Sequence, residues 1–92
     1  MAADIIAYPA TIENNDKFKE FTCKWLLNNN VEFDQFIDEY SKPNTGSGWI
    51  HIGILSPSGK QRKQYKYTNY STRPGGAKYE DLKKIYPSWF FV

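Results

Sequence analysis

Apolar and polar positions follow two different rhythms in the first two thirds of this chain. Phe18, Phe21, Thr22, Trp25 and Leu26 recur at i, i+3, i+4, i+7 and i+8, with Lys17, Lys19, Glu20 and Lys24 mostly off that stripe. This spacing predicts a helix over roughly 15–28 whose aromatic face packs on a sheet. Asn14 or Asn15 would cap it, with Asp16 in its first turn, and Asn28-Asn29-Asn30 would stop it. The second rhythm has period two. Trp49-Ile50-His51-Ile52-Gly53-Ile54, introduced by Gly48, fits a short and largely buried strand.

Weaker patterns fill in the rest. Ala2–Ala7 reads as a strand ended by Tyr8-Pro9. Val31–Tyr40 fits either period, because Val31, Phe33, Gln35 and Ile37 alternate while Phe33, Phe36, Ile37 and Tyr40 make a helical stripe. We assign it as a strand, since the turn-rich segment Ser41–Gly48 then joins it to the His51 strand as an antiparallel pair. Lys60–Tyr67 is expected as an edge strand guarded by lysines, after a turn at Leu55–Gly59. Asn69–Gly76 reads as a loop, Lys78–Ile85 as a short helix ended by Pro87, and Trp89–Val92 is too apolar to stand in water. The fold expected is α+β, one domain over residues 1–92, with a small antiparallel sheet packed against one main helix.

Composition narrows the class. Ninety-two residues allow a single modest core, and 17% aromatic residues would dominate it. Cys23 is the single cysteine, so no intramolecular disulfide can form, and a buried small residue fits it better than a reactive thiol. No apolar stretch is long enough to span a membrane, and the first residues lack the pattern of a secretory signal. Synthesis in a cytoplasm is expected. The net charge of +2 conceals a division: residues 1–59 carry a balance of −4 and residues 60–92 one of +6. The acidic part suits a cation, and the basic, tyrosine-rich part suits an anionic polymer or a solvated face.

The candidate chemistry centres on His51, the sole histidine. On a strand its imidazole has a fixed aim, as a metal ligand or catalytic base requires; the alternative is a histidine hydrogen-bonded at a sheet edge. Asp4, a carboxylate among Ala and Ile, either binds a cation, accepts hydrogen bonds, or is exposed at a chain end. The antiparallel pairing would bring Asp38 or Glu39 within reach of His51. In the basic part, Lys60, Arg62, Lys63, Lys66 and Arg73 interleave with Tyr65, Tyr67 and Tyr70, a pattern that suits phosphate contacts and base stacking.

In order and spacing these features resemble the zinc D-Ala-D-Ala carboxypeptidase family of peptidoglycan peptidases (peptidase M15), in the form found in phage endolysins. That family carries His-x-x-Gly-x-Ala-x-Asp, a helix, an Asp-Gln-Leu-Ile-like strand ending in an acid, then Trp-x-His and a basic segment. Met1–Ile5 is similar to the tail of the first motif, Phe33–Glu39 to the strand, Trp49-Ile50-His51 to Trp-x-His, and Gln61-Arg62-Lys63 to the segment after it. The likeness covers about residues 1–65.

The resemblance implies a hedgehog/DD-peptidase-like fold, Asp4 and His51 as zinc ligands, and Trp49 and Arg62 as substrate contacts. It implies hydrolysis of an amide in the cell-wall stem peptide, action at the cell wall, and a viral origin. Two departures matter. The family's first histidine lies seven residues before the aspartate, whereas Asp4 has three residues ahead of it. The expectation is therefore an N-terminally truncated enzyme whose zinc binding is weak or absent. Relatives also place a catalytic acid three residues before the last histidine, where this chain has Gly48; Glu39 is the expected substitute, with Asp38 second. Two competing expectations are a non-enzymatic module binding nucleic acid through the basic part, and a phage structural protein with the fold but not the activity.

Overall fold

Thr11 sets the start of the main helix. Its hydroxyl oxygen accepts from the Asn14 N–H at 3.1 Å, with Glu13 in the first turn, and α1 runs Ile12–Asn28. The cap therefore lies three to four residues before the asparagines expected to provide it. Asn29 is the C-cap and Asn30 follows at φ 49°, so the asparagine run does end the helix. The structure is a computed structural model that describes residues 2–7, 11–42, 45–54, 58–69 and 79–91. Pro43 and Asn44 of the expected loop, Tyr70, Arg73, Lys78 and Val92 lie outside them.

Five strands follow the helix or precede it: β1 (Ala2–Ile5), β2 (Gln35–Glu39), β3 (Trp49–Gly53), β4 (Gln64–Thr68) and β5 (Glu80–Asp81). They form one sheet in the order β1-β3-β2-β4-β5. The expected β2–β3 antiparallel pair is present, with Ile37 opposite His51 and Glu39 opposite Trp49. β1 lies antiparallel on the other side of β3, with Asp4 opposite His51. The α+β architecture is as expected, but the sheet is mixed, because β2 and β4 run parallel. β3 ends beside the start of β2, so a strand continuing from there onto the far side of β2 must run in β2's direction. β4 is accordingly internal, with β5 outside it, and is not the expected lysine-guarded edge.

The crossover from β3 to β4 is closed by main-chain bonds around Asp34. Its N–H donates to the Gly53 carbonyl at 2.8 Å, and its own carbonyl accepts from the Gln64 N–H at 2.9 Å. Downstream, α2 is a single turn, Leu82–Ile85, capped by Asp81, and a 3-10 turn spans Pro87–Phe90. Trp89 is buried and stacks on Tyr86 with ring centroids 4.0 Å apart, and Phe90 meets Tyr65 edge-on. The terminal aromatic run therefore does fold back, except that Phe91 is exposed.

Strand alternation gives the sheet two faces. Phe36, Ile50 and Tyr67 point to the helix side and join Cys23, Leu26, Phe33, Leu82 and Trp89 in the core. The helix side that meets them is only partly the expected one, since Leu26 of the expected stripe is in the core. Phe21 is 66% exposed and Trp25 48%, whereas α1 buries Asn15, Lys19, Cys23 and Leu26. Phe18 packs partly against the core.

The polar half of that buried side has partners. Lys19 Nζ lies 3.0 Å from Asp38 Oδ1, with side chains 2% and 0% exposed, and it also donates to the Ser47 carbonyl. Ser41 donates to the same Asp38 oxygen at 2.8 Å, and Tyr67 donates to the Ser41 carbonyl at 2.9 Å. Asn15 Nδ2 donates to the Gly46 and Gly48 carbonyls at 2.8 and 3.1 Å. Burial pushes the Asp38 carboxyl up, with Lys19 and Ser41 pulling it back. Among the described residues Asp38 Oδ2 has no hydrogen-bond partner.

Removing one member of this pair strands the other charge in the core. Lys19→Met should cost about 3–5 kcal/mol, a large part of the roughly 5–15 kcal/mol that holds a domain folded. Adding Asp38→Leu should recover most of that loss. Urea unfolding of the single and double variants checks this; a single variant within about 1 kcal/mol of the parent contradicts it.

Candidate metal centre

Three strands bring one donor each to the face of the sheet opposite α1. Asp4 of β1 stands across from His51 of β3, and Glu39 of β2 lies on the diagonal, two residues from His51's partner Ile37. Asp4 Oδ1 is 2.8 Å from His51 Nδ1, and Glu39 Oε1 is 3.7 Å from the same nitrogen. One donor atom from each of the three lies within 4.8 Å of the others. The exposure is graded: the Asp4 side chain is 61% exposed, His51 30% and Glu39 12%. The site thus opens on the β1 side and closes toward β2.

Glu39 has the most particular surroundings. The Trp49 Nε1–H donates to its Oε2 at 3.1 Å, and the Trp49 ring meets Tyr40 edge-on at 5.2 Å. Burial pushes its carboxyl above the usual range, His51 and the Trp49 bond pull it down, and Asp4 adds to the rise. Tyr79 is exposed, and burial first and then the Glu39 charge push its hydroxyl up. On the β4 side Thr68 is in register with Glu39 and buried.

Of the two acids expected near His51, the structure selects Glu39. Asp38 points the other way, to Lys19, because neighbours on a strand face opposite sides. Gly48 explains why no acid stands three residues before His51. Its φ is +74°, and a Cβ there would lie 2.2 Å from the Glu39 carbonyl oxygen. A side chain at 48 and the observed approach of that loop to β2 are incompatible. Trp49 belongs to the site through Glu39. The sequence pattern alone gave no reason to single out Tyr40 or Tyr79, although Tyr40 directly follows the acid.

Arg62 is not brought to this centre. It lies beyond the Gln35 end of the sheet, where Nε and Nη2 clasp Asp34 Oδ1 and Oδ2 at 2.7 and 2.8 Å. Lys63 Nζ is 2.9 Å from Asn30 Oδ1 and 3.4 Å from Glu32. Tyr67 is buried, and Tyr65 packs between Phe33 and Phe90. Bases of the second chain half thus pair with acids of the first, and two of the three tyrosines suggested for stacking serve the core.

A first-row divalent ion fits the donor set. Imidazole nitrogen and carboxylate oxygen are its usual ligands, and here the His51 nitrogen stands 2.8 Å from Asp4 and 3.7 Å from Glu39, with all three donors within 4.8 Å of one another. Among the described residues no helix is long and apolar enough to cross a membrane. No family model, curated protein or solved structure matches this chain. The geometry is therefore the basis for its function.

The Arg62–Asp34 clasp has a pH signature. The Arg62 hydrogen bonds hold the Asp34 carboxyl below its ordinary value, although burial opposes them. The unfolded chain then binds that proton more readily, so the clasp stabilises fully above the unfolded value near pH 4 and is lost as pH falls through the folded one. Arg62→Gln should lower stability at pH 7 and flatten the acid loss below about pH 4. An unchanged acid slope in denaturant melts contradicts it.

Proposed function

We propose that this chain carries a divalent-metal centre of a zinc-dependent peptidoglycan peptidase, with Asp4 and His51 as ligands and Glu39 as proton acceptor. The observation that carries it is the convergence of Asp4, Glu39 and His51 from three strands on one open sheet face. The resemblance of the Ala2–Ile5, Phe33–Glu39 and Trp49–His51 segments to that peptidase family supplies the substrate class, an amide of the cell-wall stem peptide.

Each residue has a task that its surroundings suit. Asp4, the most exposed of the three, and His51 beside it hold the ion from the open side. Bound there, zinc would polarise the scissile carbonyl and make water acidic enough to react near neutral pH. Glu39, withdrawn from water and with its carboxyl pushed up, accepts a proton at Oε1 and returns it to the leaving amine.

Calorimetric zinc titration tests this reading. The chain itself should bind zinc weakly, and His51→Ala should abolish the binding. An N-terminal extension placing a histidine seven residues before Asp4, as in the family, should tighten it more than tenfold and bring hydrolysis of stem peptide. Equal affinity with and without the extension contradicts the peptidase assignment, and binding that survives His51→Ala contradicts the site.

A further inference from the structure

Trp49 stands directly across from Glu39 in the β2–β3 register, and both rise from the same face of the sheet. The two oxygens of Glu39 are not equivalent there. Oε2 accepts the indole N–H at 3.1 Å, while Oε1 faces His51 Nδ1 at 3.7 Å. The indole is itself braced, since the Tyr40 ring meets it edge-on with planes 72° apart. A free glutamate side chain samples many rotamers, and ordering it carries an entropic cost. A cross-strand donor on rigid backbone removes that freedom in advance.

We propose that Trp49 is a positioning residue: its indole N–H claims Glu39 Oε2 and so leaves Oε1 as the oxygen turned to Asp4 and His51. This gives Trp49 a role different from the substrate contact that the family likeness implies. Its use rests on the metal reading above, but its geometry does not. The bond joins a ring donor to a charged acceptor, the stronger class of hydrogen bond, and burial of Glu39 shields it from competing water.

Two measurements decide it. In the metal-free protein, the Trp49 indole resonance, assigned by its loss in Trp49→Phe, should shift upfield in Glu39→Ala and stay in place in Asp4→Asn. Zinc affinity, by calorimetry, should fall severalfold in Trp49→Phe, which keeps a ring against Tyr40 but has no N–H, because Glu39, the proton acceptor and not a ligand, holds its charge beside the ion only while Oε1 is fixed toward Asp4 and His51. That loss should vanish when Trp49→Phe is made in the Glu39→Ala background, since the indole would then have nothing left to orient. An indole resonance that ignores Glu39→Ala overturns the proposal. So does an equal effect of Trp49→Phe in both backgrounds, which would mark the ring as packing only. A parent chain that takes up no zinc overturns the metal reading instead, and the resonance then decides the positioning by itself. The resonance also serves if Trp49→Phe fails to fold, with the other two tryptophans assigned by Trp25→Phe and Trp89→Phe.

Discussion

The Lys19–Asp38 ion pair lies under the sheet, directly behind the strand that supplies Glu39, and the arrangement of the rest follows from it. Two charges withdrawn from water are tolerable only in contact, because either alone carries a desolvation cost of several kcal/mol. The pair therefore acts as a register pin. Sliding α1 by one turn along the sheet would strand both charges, so the helix has one acceptable seating. Ser47, Ser41 and Asn15 extend the same polar contact to the Ser41–Gly48 loop, which delivers the chain into β3.

From that seating the candidate centre is a matter of strand geometry. With Asp38 turned down to the helix, Ile37 and Glu39 must turn up, and the antiparallel pairing places His51 and Trp49 beside them. β1 completes the set by setting Asp4 against His51. Among the described residues, all three candidate donors stand on strands. Rigid strands hold donors more closely to one geometry than loops do, and the set is open to solvent on the β1 side. Exposure falls across the set, from open Asp4 through half-buried His51 to enclosed Glu39.

Much of the site was legible in the sequence, because period-two alternation is a local property. The strand carrying Trp49 and His51 follows from it, whereas the β2–β3 pair rests on the turn-rich segment between them, which leaves Asp38 and Glu39 equally open. The buried side of α1 was only partly legible. Periodicity counts apolar side chains, and it favoured Phe21 and Trp25 over Asn15 and Lys19; it cannot see that Lys19 has a buried carboxylate waiting 3.0 Å away. The helix cap was misread for a similar reason, since Asn15 looked like a cap but spends its amide on the Gly46 and Gly48 carbonyls. The parallel β2–β4 pair and the Arg62 clasp depend on where the chain goes after Gly53, which no local pattern encodes.

Asp4, Glu39 and His51 converge from three strands, so a divalent ion drawn to the chain should settle beside all three. Paramagnetic broadening by substoichiometric Mn2+ tests it most directly, because the effect falls steeply with distance from the ion. Selective loss of amide signals is expected around residues 3–5, 38–40 and 50–52, with Glu13 and Glu20 on α1 spared. Broadening centred on the helix, or uniform weak broadening with no focus, would contradict it.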